Sequence, residues 1–236
     1  MEQTELFTPA KGHIGTDESG KGDFFGPLVV AGFFLPDDQA EVLKELGVKD
    51  CKRLSDRRVL EIASELKKGY IFSVVAIGPE RYNDLYSRFK NLNRLLAWGH
   101  ARAIENILEK INCQVALTDQ FGDEKFVGQA LLKKGKQINL IQKTQAETDL
   151  AVAAASILAR AEFLRRLKNL SWEVGLVLPK GASAQVEEAG LQLIEKHGPE
   201  ILRRVAKCHF KTTDRIMKAA GLSDELNPVQ PDTKKG

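Results

Sequence analysis

Three apolar runs in this chain of 236 residues give way to carboxylates, and no other feature restricts its fold as much. His13-Ile14-Gly15-Thr16 leads into Asp17-Glu18. Val115-Ala116-Leu117-Thr118 ends on Asp119, and a run over residues 137–142 is followed by Glu147, with Asp149 close behind. In open α/β sheets, ligand sites lie at the carboxyl ends of strands. Carboxylates gathered there repel one another unless a cation lies between them. Hard oxygen donors suit Mg²⁺ or Mn²⁺. A pair of such ions can activate water and stabilise the leaving oxygen of an in-line phosphodiester displacement.

Neighbouring residues of a strand point to opposite faces, so Asp17 and Glu18 reach one site only if the strand bends or ends there. The glycines at 20, 22 and 26 supply that bend. Taken singly, the acids also read as exposed strand ends or turn residues. Asp149, with Thr148, opens a long helix and reads first as a cap of its free N–H groups. Glu147 follows the strand more directly and is the preferred fourth acid, with Asp149 the alternative.

The remaining pattern surrounds these strands with helices. Leu28 to Phe34 is a buried strand, near enough to the first to form a hairpin, and residues 71–77 form a third. Helical periodicity covers residues 39–46, 56–68 and 92–111, then an Ala-rich helix over about residues 148–168. Further helices fall near residues 186–197, 199–206 and 212–220. The expected class is α/β, a mixed sheet flanked by helices, with an entirely helical C-terminal third. Residues 1–11 read as an N-terminal arm, 12–221 as one domain, and the Pro-containing polar segment 222–236 as a disordered tail.

No window approaches the length of a membrane span, and the acidic start has no signal-like apolar segment. Three widely spaced cysteines argue against a disulfide framework or a zinc ribbon and for a cytoplasmic setting. Net charge is only +3, yet residues 160–218 hold twelve Lys or Arg against seven Asp or Glu. That surplus suits a polyanion held beside an acidic, metal-binding cluster; ordinary solvated helices account for it equally well.

The turn Gly20-Lys21-Gly22 lets backbone N–H groups approach a nucleic-acid backbone or a 2′-hydroxyl, with Lys21 adding positive charge. A flexible hairpin loop is the plainer reading. Lys49, Lys52 and Arg53 stand evenly between phosphate contact and solvation. The Ala153-Ala154-Ala155-Ser156 run reads as close helix packing. His13, His100, His197 and His209 lack metal-ligand spacing and read as structural. Trp98 and Trp172 do not form a stacking platform.

The segment Thr16-Asp17-Glu18-Ser19-Gly20-Lys21-Gly22-Asp23-Phe24-Phe25-Gly26-Pro27 resembles the opening signature of the type 2 ribonucleases H, in the ribonuclease HIII form. Val48-Lys49-Asp50-Cys51-Lys52, Thr118-Asp119-Gln120-Phe121, the Ala151–Arg160 run and Leu178-Pro179-Lys180-Gly181-Ala182 follow in the family's order. The likeness covers about residues 13–220. It implies a ribonuclease H-like fold, a five-stranded mixed sheet with a helical C-terminal extension. It also implies endonucleolytic cutting of the RNA strand of RNA/DNA hybrids, leaving 5′-phosphate and 3′-hydroxyl ends.

By position, Asp17, Glu18 and Asp119 match the family's metal-binding acids, Glu147 matches the fourth catalytic acid, and Gly20-Lys21-Gly22 matches the loop at the 2′-hydroxyls. Lys52 is carried over as a substrate contact. Two Mg²⁺ or Mn²⁺ ions, a monomeric state and no membrane association complete the expectation. Three departures accompany the likeness. A dozen residues precede the first strand where ribonuclease HIII usually has an N-terminal substrate-binding domain, so affinity is expected to rest on the basic C-terminal helices. Cys51 stands where Ser is usual, and the spacing from Glu147 to the Ala-rich run is one residue short. Alternative expectations are incision at single ribonucleotides embedded in DNA, in the manner of ribonuclease HII, a non-catalytic hybrid-binding protein, and a DNA-strand nuclease or integrase on the same fold.

Overall fold

The computed structural model describes residues 9–49, 51–119, 125–131 and 134–222. Most of the expected arm (residues 1–8) and nearly all of the expected tail (223–236) lie outside these residues. Five strands form one mixed sheet: β1 (Gly12–Ser19), β2 (Leu28–Pro36), β3 (Phe72–Ile77), β4 (Val115–Asp119) and β5 (Asn139–Lys143), in the order β3-β2-β1-β4-β5. β1 pairs parallel with β4, and β4 parallel with β5. β2 is buried from Leu28 to Leu35, which explains its uninterrupted apolar sequence.

The helices are α1 (Ala40–Leu46), α2 (Asp56–Gly69), α3 (Pro79–Phe89), α4 (Leu92–Leu108), α5 (Lys125–Ala130), α6 (Leu150–Val174), α7 (Ala184–His197), α8 (Ile201–Val205) and α9 (Lys211–Ala219). Ser55 caps α2 by accepting the Arg58 N–H at 3.2 Å. Two helices go beyond the sequence expectation. α3 starts with Pro79 after an extended Gly78, a favourable helix entry, and α5 is short. α6 runs six residues past Lys168 because nothing breaks it before Gly175, which takes φ +64°. Among the described residues no helix is long and apolar enough to cross a membrane.

The chain divides into two compact units. The first holds residues up to Glu18, Val30–Val75 and Leu96–Ala161. Its core gathers Ile14 of β1, Phe34 of β2, Ile104, Ile107 and Leu108 of α4, and Ala116 of β4. The start of α6 lies directly on β1. A Cβ at Gly15 would stand 2.3 Å from the backbone of Ala151 and Val152, so glycine there permits the contact. The Ala-rich face of α6 completes it, with Ala151, Ala153, Ala154 and Ala155 buried.

The second unit holds Ser19–Val29, Ala76–Leu95 and the residues from Glu162 onward. Here Phe24 and Gly26 exchange backbone hydrogen bonds with Gly181, Val205 and Lys207. Lys207 is fully buried; its ammonium donates to the Gly26 carbonyl at 2.8 Å, and burial pushes its pKa down to about 7.

Replacing Gly15 by Ala forces α6 off β1, and overpacking of this kind typically destabilises by about 1–3 kcal/mol. Urea denaturation should show that loss for Gly15→Ala and a larger one for Gly15→Val.

Candidate active site

The register of the parallel strands decides where the acids go. Thr16 on β1 is level with Thr118 on β4. One residue further come Asp17, two residues before the end of β1, and Asp119, the last residue of β4. Alternation then sorts the side chains. Thr16 and Thr118 both reach His100 of α4, with Nδ1 2.8 Å and 3.2 Å from their hydroxyl oxygens. Glu18, two residues beyond Thr16, turns to the same imidazole, its Oε2 3.2 Å from Nε2. Asp17 meets Ser156 of α6, and Asp119 meets the Ala146 N–H.

Asp17 accepts hydrogen bonds from Ser156 on α6 and from the Glu18 N–H, the latter at 2.8 Å. Burial and the adjacent Glu18 charge nevertheless raise its pKa to about 7. Ser156 Oγ is also 2.9 Å from Cys51 Sγ. Cys51 therefore holds the place of a polar contact, and the Cys51–Arg53 turn is tied by way of Ser156 to Asp17. Arg160 fixes the same turn by donating to the Cys51 carbonyl and to Asp56. The backbone of Lys52 lies in this turn; its side chain is outside the described residues.

Asp119 accepts the Ala146 N–H at 3.3 Å, linking β4 to the turn Ala146–Thr148 that carries Glu147. Lys143 is level with Asp119 on β5. Asp149 caps α6 as the sequence suggests, with Oδ1 accepting from Ala151 at 2.9 Å and Val152 at 3.2 Å. It also meets His13 Nε2 at 3.0 Å. Burial pushes the Asp149 carboxyl up, but His13 and the two helix N–H groups outweigh it and hold the pKa below the usual value. His13 is raised in turn, chiefly by its hydrogen bond to Asp149.

The Gly20–Gly22 turn belongs to the second unit. The Asp23 N–H donates to the Gly20 carbonyl at 3.3 Å, and the Asp23 carboxylate accepts from Gly181 at 2.7 Å. Gly20 takes φ +86°, and a Cβ there would strike the Pro27 carbonyl at 2.2 Å; around Gly22 nothing lies within 4 Å of one. Several basic side chains of this unit are paired internally: Arg165 and Arg166 with Glu162, Arg203 with Asp84, and Arg215 with Glu187.

Reading the sequence alone misses His100 and Ser156. His100 carries a signal: it falls between Leu96 and Ala103 on the apolar stripe of α4, where a polar side chain demands a buried partner. Ser156 carries none beyond being the one hydroxyl in an alanine run.

The fit of this site to a divalent ion rests on its donors. Asp17, Glu18 and Asp119 offer only hard oxygens, and Asp17 bears an electrostatic burden from burial and Glu18 that a cation would relieve. Among the described residues no three His, Cys, Asp or Glu side chains are drawn into a preformed chelate.

A mixed sheet with acids at the ends of its central parallel strands defines an α/β protein of the nuclease type. The Ribonuclease HII family model matches residues 14–213. Ribonuclease HIII of Protochlamydia amoebophila (strain UWE25) is 50% identical over 209 residues, spanning 89% of this chain and 69% of that protein. Ribonuclease HIII of Chlamydia felis (strain Fe/C-56) is 45% identical over 212 residues, 88% of this chain and 70% of that one. The crystal structure of Bst-RNase HIII in complex with Mn²⁺ superposes with a TM-score of 0.83 at 32% identity, covering 90% of this chain and 71% of that one. The ribonuclease H2 of Pyrococcus horikoshii OT3 shares the fold, with a TM-score of 0.73 at 22% identity, covering 90% of this chain and 100% of that one. The chain belongs to the ribonuclease HII/HIII family and is an enzyme of the hydrolytic ribonuclease H class.

The raised Asp17 pKa has a measurable consequence. Well below pH 4 the carboxyl is neutral in both folded and unfolded chains. As pH rises towards about 7 the unfolded chain ionises first, so the folded state loses stability, fully so above that pH. Without added metal, Asp17→Asn should be more stable than the unmodified protein by about 1–3 kcal/mol at pH 8, with little advantage at pH 4. Urea denaturation across that range measures it.

Proposed function

We propose that this protein cuts the RNA strand of RNA/DNA hybrids internally by hydrolysis dependent on two divalent ions, Mg²⁺ or Mn²⁺, leaving 5′-phosphate and 3′-hydroxyl ends. The observation that carries the reading is the parallel register of β1 and β4, with Asp17 and Asp119 one residue beyond the level pair Thr16 and Thr118, and Glu18 beside them. Mn²⁺ in the similar Bst-RNase HIII supports the choice of ion. Asp17, Glu18 and Asp119 would hold the ions, which supply a water activated for attack and charge stabilisation at the leaving oxygen. Glu147, on the turn tied to Asp119, is the fourth acid of this reading; Asp149 already serves His13 and the α6 N-terminus.

Ser156 orients the Asp17 carboxylate from α6. The Gly20-Lys21-Gly22 turn reads the RNA strand through its 2′-hydroxyls, with Lys21 and Lys52 adding positive charge near the phosphates. The same turn favours this reading over a DNA-strand nuclease, and the full acid set favours catalysis over mere hybrid binding. The match to the Ribonuclease HII model favours one second reading, incision at single embedded ribonucleotides. Substrates carrying one or four ribonucleotides separate the two.

Incubation of a labelled RNA/DNA hybrid with Mg²⁺ or Mn²⁺ should give RNA cutting by the unmodified protein. Asp119→Asn should lower it by about 10²–10³-fold, because charge stabilisation at a developing oxyanion is typically of that size. Equal cutting by both proteins, or none by the unmodified one with either ion, refutes the mechanism.

The two glycines of the turn give an independent check. Gly22→Ala should leave the thermal midpoint unchanged while weakening hybrid cleavage, since only substrate meets that position. Gly20→Ala should lower the midpoint as well, given its positive φ and its contact with the Pro27 carbonyl.

A further inference from the structure

The imidazole of His100 is fully buried, yet it joins two strands and an acid of the candidate site. A neutral imidazole carries one ring proton, and its tautomer follows from its partners. The Thr118 hydroxyl lies 3.3 Å from the Asp119 carbonyl and donates there. The Glu18 carboxylate can only accept, so a neutral ring places its proton on Nε2 and Nδ1 accepts from the Thr16 hydroxyl at 2.8 Å. The ring proton is left on Nε2, aimed at Glu18 Oε2 3.2 Å away. The Glu18 side chain is only 11% exposed, and this bond fixes the direction of one of its carboxylate oxygens.

The parallel register makes the arrangement possible. Thr16 and Thr118 are level and face the same way, so one ring from α4 reaches both and still meets Glu18 one step beyond Thr16 on that face. A leucine on the same apolar stripe would fill the space and leave the Glu18 carboxylate without this donor. Burial of so polar a ring on the apolar stripe of α4 is better explained by such a directional task than by packing.

We propose that His100 is a positioning residue for the metal site: its Nε2–H, set by Thr16, orients the Glu18 carboxylate so that it can join Asp17 and Asp119 around a divalent ion. The inference rests on the nuclease reading and adds a residue outside the acids. It concerns the direction of the hydrogen bond.

Mn²⁺ binding, followed by loss of the free-ion electron paramagnetic resonance signal, tests it without reference to turnover. Glutamine can place an amide donor near the position of Nε2, whereas asparagine reaches only as far as Nδ1. His100→Asn should bind Mn²⁺ about ten-fold or more weakly, the usual effect of losing a partner that orients a ligand. His100→Gln should recover most of that loss. In a Glu18→Gln background, His100→Asn should change nothing further.

Mn²⁺ binding by His100→Asn equal to that of the unmodified protein overturns the assignment, as does equal loss in both variants. A second measurement needs no substitution. In histidine-¹⁵N-labelled unmodified protein, the His100 Nε2–H signal should be protected from solvent exchange and should move on addition of Mg²⁺. A signal unmoved by saturating Mg²⁺ overturns the proposal, and this result decides if His100→Asn fails to unfold cooperatively. The nuclease reading fails separately, when the unmodified protein neither binds Mn²⁺ nor cuts a hybrid.

Discussion

The parallel pairing of β1 with β4 is the constraint on which the site depends. Parallel strands point their carboxyl ends the same way, so an acid at the end of each falls at the same edge of the sheet. The pairing leaves no slack in register, because a one-residue slip would send Asp17 or Asp119 to the opposite face. α6 holds β1 in that register by lying against Gly15, where no side chain intervenes. The same helix presents Ser156 to Asp17, so packing and chemistry share one contact.

The electrostatics show what this arrangement demands. A carboxylate pushed up to about 7 by burial and by its neighbour is a destabilising element of the fold at neutral pH, of the kind that gathers at functional sites. Asp149 is the counterexample within the same unit. It is half-buried, but His13 and the helix N-terminus satisfy it and pull its pKa down. Two nearby acids are thereby given different work by their surroundings. In the second unit Lys207 is buried and Arg203 pairs with Asp84, which lies outside the basic stretch, so the surplus of basic residues overstates the positive charge presented to solvent.

Much of the architecture was legible in advance. All five strands and most helices announced themselves, because apolar runs and helical stripes follow directly from which faces are buried. α3 escaped notice because its buried residues, Tyr82 and Asn83, are polar enough to hide the stripe. The far end of α6 did so because its last turns are amphipathic only weakly, with Trp172 exposed. The acids of the candidate site were visible because a charge terminating an apolar run is rare. His100 and Ser156 were not, since a lone histidine in an apolar stripe or a serine after alanines has the same appearance whether it packs or points.

Sequence alone determined the order of strands along the chain, the acids at their ends, the glycine turn and the kinship with a ribonuclease family, because each is a matter of residue type and spacing. Tertiary structure decided which strands lie side by side, and hence that Asp17 is level with Asp119 while Glu18 turns towards His100. Those facts depend on contacts between residues up to about a hundred positions apart. No local pattern encodes them; they are settled when the strands pair and α4 packs on them.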